Sequence, residues 1–252
     1  MQLEEKIKVT CIQNAVKQGQ ERLLDLIFPR RCPVCGEIVT PKGELICPPC
    51  IRKLSPVHQP VCLKCGKELE SSRMEFCYDC TRHHRSFERN LALLNYNDTA
   101  SQSMSAIKYK NKREYLDFYS EALWLRFGRQ IHFWNPDYLG PVPIHPSRRK
   151  VRGFNQAEVL AEKLSEKSGI PVCLDALKRI RKTAPQKTLD SSARFHNLEQ
   201  AFSPGAIPPQ TRSVLLIDDI YTTGSTMEAC TRILIKMGVE QVYGLTVCIG
   251  KN

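Results

Sequence analysis

The string VLLIDDIYTTGST, from Val214 to Thr226, sets an acidic doublet beside a row of hydroxyls. The apolar run Val214 to Ile217 reads as a buried strand that delivers two adjacent carboxylates, Asp218 and Asp219, at its end. A five-residue turn, Thr222-Thr223-Gly224-Ser225-Thr226, then opens a helix. Small residues in such a turn let backbone N–H groups approach an anion, the hydroxyls donate further hydrogen bonds, and the helix dipole favours negative charge there. That chemistry suits a phosphate. The carboxylates cannot serve the same phosphate, because like charges repel; they suit sugar hydroxyls or water around Mg²⁺. A phosphate with vicinal hydroxyls beside it describes a ribose 5-phosphate. A helix cap with two solvated acids would also write TGST, but unpaired charge directly after an all-apolar strand is expensive.

The second set is cysteine. Eight of the twelve form Cys-x-x-Cys pairs, Cys32/Cys35, Cys47/Cys50, Cys62/Cys65 and Cys77/Cys80, each starting 15 residues after the last. The segment reads as one short unit used four times. In CPVCGE and CLKCGK a glycine follows the second cysteine, the pattern of a zinc knuckle whose tight turn aims two sulfurs at one metal ion. The eleven residues between pairs suit a hairpin that brings two knuckles together, so two structural zinc ions are expected. A disulfide framework competes less well, because the N-terminus, charged and apolar in alternation, does not read as a secretory signal. Four even copies outside a thioredoxin-like context also disfavour redox motifs. Consecutive ribbons, four cysteines to each ion in chain order, are simpler than a cross-brace, and the spacing allows both. His83 and His84 read as exposed polar residues. Of the remaining cysteines, Cys230 and Cys248 sit in apolar-periodic segments and read as buried thiols, while Cys11 and Cys173 carry no reading.

An alternation of strands and helices after Arg85 must position the acidic doublet. Asn90 to Tyr96 reads as a strand. Lys112 to Arg129 reads as an amphipathic helix with Leu116, Tyr119, Leu123 and Phe127 near one face. Tyr138 to Ile144 is a short buried strand, and Asn155 to Lys167 a helix stopped by Gly169. Thr226 to Met237 reads as a helix stopped by Gly238, and Gln241 to Ile249 as another strand. The order predicts an α/β fold: an open, mostly parallel sheet with its ligand site at the strand C-termini. Two stretches read as loops. Pro143 to Gly153 packs Arg148, Arg149, Lys150 and Arg152 into five residues, and the long polar stretch Arg179 to Arg212 suits a mobile lid or a disordered linker.

Composition bounds the rest. With 42% hydrophobic and 25% charged residues the chain is of globular type, not disordered. No apolar run approaches the ~18 residues of a membrane span, so a cytoplasmic protein is expected. Lys and Arg outnumber Asp and Glu 37 to 26. Residues 1–86 hold 14 basic and 10 acidic side chains, and residues 87–252 hold 23 and 16. Two zinc ions on eight thiolates would add about −4. They would neutralise the first part and leave a surplus of about +7 on the second, where any pull on phosphates or nucleic acid resides.

The string from Val214 to Thr226 resembles the phosphoribosyl pyrophosphate (PRPP) signature of type I phosphoribosyltransferases: four hydrophobics, two acids, then T-T-G-S-T. The wider chain resembles the ComF (GntX-like) family of competence proteins, in which a double zinc ribbon precedes a phosphoribosyltransferase-like domain. PVPIHPSRRKVRGFNQAEVLA (Pro141 to Ala161) and RIRKTAPQKTLDSSARFHNLEQAF (Arg179 to Phe202) are similar to that family's characteristic segments. The likeness covers nearly everything from Arg31 onward. It implies a ribbon module over 31–86 and the phosphoribosyltransferase-like sheet over 87–252; residues 1–30, outside the likeness, are left as an N-terminal helical segment without further reading.

By position, the resemblance implies that Asp218 and Asp219 bind the ribose hydroxyls as the catalytic pair, and that Thr222, Thr223, Gly224, Ser225 and Thr226 hold the 5-phosphate. It implies a pyrophosphate loop around His145, Arg148 and Arg149. The flexible loop would bring Lys182, with Thr183, Gln186 and Arg194 fitting the family pattern. PRPP with Mg²⁺ is the implied ligand, and the implied role is handling incoming single-stranded DNA in natural transformation, with a competence helicase as partner. An active phosphoribosyltransferase of nucleotide metabolism and a PRPP-sensing regulator are the alternatives. No segment reads as the wall of an acceptor site. Phe76, Tyr78 and Phe87 near the ribbons are the candidates for base stacking.

Overall fold

The computed structural model describes residues 29–181 and 200–250. After the cysteine-rich module the chain runs β1 (Arg89–Tyr96), α1 (Asp98–Tyr109), α2 (Tyr115–Trp134), β2 (Tyr138–Pro141), α3 (Pro146–Arg152), α4 (Gln156–Ser168), β3 (Leu177–Arg179), β4 (Phe202–Pro204), β5 (Ser213–Tyr221), α5 (Ser225–Lys236) and β6 (Gln241–Gly250). Four strands form a parallel sheet in the order β1-β6-β5-β2. β3 and β4 pair antiparallel in a small separate sheet.

Unbroken apolar runs mark strands covered on both faces, and β5 shows why. Leu215 and Ile217 pack with Leu245 and Val247 of β6 against α1, α2 and α4. Val214 and Leu216 face the other way, into a cluster with Met227, Cys230 and Leu234 of α5 and Phe202 of β4. The parallel sheet between two helical layers is the predicted α/β fold. The expected stop is present, with Gly169 closing α4 at φ 74°, and Asn155 caps its start by accepting from the Ala157 N–H.

Three expectations need correction. Pro143–Gly153 is not a loop, since residues 146–152 form α3, with Pro146 in its first turn, His145 as N-cap and Gly153 at φ 80° as its end. The Arg179–Arg212 stretch is partly ordered pairing, with Arg179 opposite Phe202; residues 182–199 lie outside the described residues. Polar α1 was not foreseen, yet Ala100, Met104 and Ile107 are buried at helical spacing.

The cysteine module is two ribbons. Each has one knuckle closed by a glycine, Gly36 at φ 77° or Gly66 at φ 81°, and one pair opening a short helix, Pro48–Ile51 or Tyr78–Arg82. The repeating unit is therefore a pair of pairs, not a single pair used four times. The second ribbon is built into the sheet. The Asn90 side-chain amide of β1 donates to the Cys65 carbonyl at 3.0 Å, and its backbone N–H donates to the Lys64 carbonyl at 2.8 Å. Pro56 bridges to Leu94 and covers the β1 edge. Phe87 is fully buried in this junction, which removes it from the stacking candidates.

Candidate functional site

Pairing with β6 carries β5 further than its apolar run. Asp218 lies opposite Thr246 and Tyr221 opposite Ile249, so the acidic doublet sits within the strand instead of following it. The turn is correspondingly shorter, and α5 begins at Ser225. Its N-cap, Gly224, has φ 76°, and a Cβ there would lie 2.1 Å from the Tyr221 hydroxyl. Only glycine fits that bend. The bend is also held from behind: Arg85 donates to the Thr223 carbonyl at 2.8 Å, and the Ser86 N–H and hydroxyl both donate to Glu228 of α5 at 2.7 Å.

A cavity of about 430 Å³ opens at the C-terminal ends of β5 and β2. It joins Asp218, Asp219 and Thr226 to Lys108, Ser147, Arg148, Arg152, Gln156 and Arg179. Four cations thus share one space with two carboxylates. Burial, and then the charge of Arg148, hold the Arg179 guanidinium below its ordinary value.

The doublet is divided by its surroundings. Asp219 is 5% exposed, ion-paired with Lys108, and accepts from the Gln156 amide at 3.0 Å. Burial opposes its charge, but Lys108 and these bonds outweigh it and hold the carboxyl below the usual range. For Asp218, burial and then the Asp219 charge outweigh the pull of Lys108 and raise it well above that range. The two adjacent carboxyls are thus pushed in opposite directions by their surroundings.

The expected residues do not all meet here. Arg148 and Thr226 line the cavity. Arg149 turns outward to Glu158, at 2.6 Å. The His145 ring accepts from the Ser147 N–H at 3.2 Å and so positions α3. Thr222 and Thr223 border a different cleft, toward the second ribbon, and Ser225 is buried, sharing a hydrogen bond of 2.9 Å with Thr223. Lys182 lies outside the described residues, as do Thr183, Gln186 and Arg194. Lys108, Arg152, Arg179 and Gln156 were missed. Arg152 was visible as one of the packed charges, but nothing near Lys108 in the chain points to Asp219.

The cysteines gather as Cys32, Cys35, Cys47 and Cys50, and as Cys62, Cys65, Cys77 and Cys80, with the sulfurs of each set within 4.8 Å of one another. This is the consecutive pairing. Tetrahedral zinc with bonds of about 2.3 Å needs sulfurs about 3.8 Å apart, and Cys65 and Cys77 stand at 3.5 Å. Burial disfavours charge on Cys32, yet backbone donors from Cys35, Cys47 and Val34 bring its thiol down to about 7. Each donor set suits one structural zinc ion. His83 and His84 are exposed and outside both sets.

The double zinc ribbon domain matches residues 23–81, and the phosphoribosyl transferase domain matches residues 150–252. Competence protein F of Haemophilus influenzae is 40% identical over 114 residues, 44% of this chain and 50% of that protein. DNA utilization protein YhgH of Escherichia coli is 29% identical over 165 residues, 64% of this chain and 72% of that one. Competence protein ComFC of Bacillus subtilis is 29% identical over 154 residues, 60% and 59% of the two chains. The matched region thus spans half the length of the Haemophilus relative. A purine phosphoribosyltransferase from Pyrococcus horikoshii Ot3 superposes over 52% of this chain and 83% of its own, at 16% identity and a TM-score of 0.34, too distant to bear on function. The chain joins a double zinc ribbon domain to a phosphoribosyl transferase domain and is related to the proteins named Competence protein F, ComFC and YhgH.

Proposed function

We propose that the cavity binds PRPP with Mg²⁺, and that the protein works in the cytoplasm on single-stranded DNA during natural transformation. The observation that carries the first part is the cavity itself, where an acidic doublet, the start of α5 and four cations converge. In this reading the Thr222–Thr226 bend takes the 5-phosphate and Asp218 and Asp219 take the ribose hydroxyls. Arg148, Arg152 and Arg179 neutralise the pyrophosphate, joined by Lys182. Mg²⁺ would shield the pyrophosphate charge further. Residues 31–86 serve as the ribbon module and residues 87–252 as the PRPP-binding domain. The DNA role is supported by the names of the competence and DNA utilization relatives and by the basic surplus of residues 87–252. Among the described residues no helix is long and apolar enough to cross a membrane.

Binding to the native state alone stabilises it by about 2.7 kcal/mol at a hundred-fold excess over Kd. Mg²⁺ with PRPP should therefore raise the melting temperature by several degrees, and Asp218→Ala with Asp219→Ala should abolish the rise without changing zinc content. An undiminished rise in that variant would remove the site assignment. For DNA, the test is binding of a labelled single strand across a salt series, with log K expected to fall steeply as salt rises; no binding at low salt would contradict the role. An active phosphoribosyltransferase is the second reading, favoured by the match of the phosphoribosyl transferase domain to residues 150–252.

A further inference from the structure

The two cysteine sets stand in different surroundings. Cys32, Cys47 and Cys50 form a small cluster of their own with Val39 and Ile46. Cys62, Cys65 and Cys77 instead belong to one continuous core with Phe87, Tyr221 and Met227. The second set is therefore packed into the same interior as the strand and helix that carry the bend. The first set is not.

Three consecutive residues just after Cys80 join the second set to the bend. Arg85, 8% exposed, donates to the Thr223 carbonyl at 2.8 Å. Ser86 gives both its N–H and its hydroxyl to Glu228, each at 2.7 Å. Phe87 sets its ring edge-on to Tyr221, with centroids 6.3 Å apart, and Tyr221 in turn packs its hydroxyl against Gly224. Glu228 lies in the first turn of α5, is 1% exposed, and donates its backbone N–H to the Gly224 carbonyl at 2.9 Å. A carboxylate buried so deeply is costly unless donors surround it. Ser86 supplies two, and Arg232 supplies another at 2.8 Å. Among the described contacts only Arg232 would remain without Ser86, and the carboxylate would regain water most cheaply by opening the first turn of α5.

We propose that Ser86 and Glu228 are positioning residues that make the second zinc site a support of the phosphate bend. Zinc on Cys62, Cys65, Cys77 and Cys80 fixes residues 85–87, these fix the first turn of α5, and the amides of that turn keep the geometry an anion needs. Such coupling is reciprocal. An anion held in the bend strengthens the hold on the second zinc ion and leaves the first ion indifferent. The inference rests on the reading of the bend as the seat of the PRPP 5-phosphate.

The test is amide hydrogen exchange on the full zinc-loaded chain, with zinc retention against a competing chelating dye at equilibrium as the second readout. Glu228→Gln and Ser86→Ala should speed exchange across residues 222–228 by about ten-fold, the scale of losing a hydrogen bond to a charged group. Ser86→Thr, which keeps the hydroxyl, should stay near wild type. Strand β2 and helix α4 should exchange as before, and only the ion on the second cysteine set should become easier to remove. Mg²⁺ with PRPP should make that same ion harder to remove in the wild type, but not in Glu228→Gln. Unchanged exchange over residues 222–228 in both zinc-replete variants, a rise spread evenly over the sheet, or equal weakening of both ions would overturn the proposal. If Glu228→Gln does not fold, Ser86→Ala against Ser86→Thr carries the same comparison. Should PRPP alter neither readout in the wild type while the variants behave as described, the PRPP reading fails and the support of the bend by the second ribbon stands.

Discussion

Lys108→Met removes the only cation that pairs with Asp219 among the described salt bridges, and its cost can be reasoned from the structure. The lysine side chain is 19% exposed and the aspartate side chain 7%. Deleting one partner of a fully buried pair costs about 3–5 kcal/mol, because the other charge is left uncompensated. Here the cavity admits water and Gln156 still donates to Asp219, so about 2 kcal/mol is expected. For a protein of this size that is a fall of about 4–8 °C in melting temperature. The sign of the pH dependence follows from the direction of the shift. Lys108 holds Asp219 below its ordinary range, so the pair stabilises the fold above about pH 3.9 and loses that effect as pH falls through the depressed value. Without Lys108, burial and the neighbouring Asp218 carboxyl raise Asp219, which then protonates more readily. The deficit of Lys108→Met should be largest near pH 8 and shrink toward pH 5. Adding Asp219→Asn should restore most of the loss. Thermal unfolding of ligand-free, zinc-loaded protein across this range is the assay. A variant as stable as wild type at pH 8, or a deficit that grows on acidification, would refute the reasoning.

Other expectations are simpler. Arg148→Ala should weaken PRPP binding about ten-fold or more, as loss of a charge-assisted contact does, whereas Arg149→Ala, whose side chain pairs outward with Glu158, should change it about two-fold at most; equal effects in a titration would contradict the orientation of α3. Elemental analysis should find about two zinc ions per chain. Cys62→Ser and Cys32→Ser should each lower that number, but only Cys62→Ser should blunt the PRPP response. The second ribbon leads directly into Arg85 and Ser86, which hold the bend and Glu228. A PRPP response unchanged by Cys62→Ser would separate the ribbon from the site.

Much of the scaffold was legible because it is written locally. The cysteine pairs, the glycine after each knuckle, the Val214–Ile217 run and the stop at Gly169 all act through neighbours in the chain. Where the reading failed, the deciding partner was distant. The β5 strand outlasts its hydrophobic run because β6 continues beside it as far as Gly250. Helix α1 looked polar because Ser103 occupies a buried position, where it shares a hydrogen bond with Tyr119 of α2. The basic run before Gly153 was treated as loop because four charges outweighed the helix signals of Pro146 and Gly153. For the site, the acids were plain, but the cations that share their cavity come from separate elements. No local spacing shows that Lys108 of α1, Arg152 of α3 and Arg179 of β3 line the same space.

The central claim is that one cavity holds PRPP through its acidic doublet and its cluster of cations. Calorimetric titration of the full zinc-loaded chain with PRPP in the presence of Mg²⁺ tests it most directly. Saturation at about one ligand per chain, dependent on Mg²⁺ and lost in Asp218→Asn with Asp219→Asn, is the predicted result. No heat of binding in the wild type, or the same isotherm in the double variant, would contradict it.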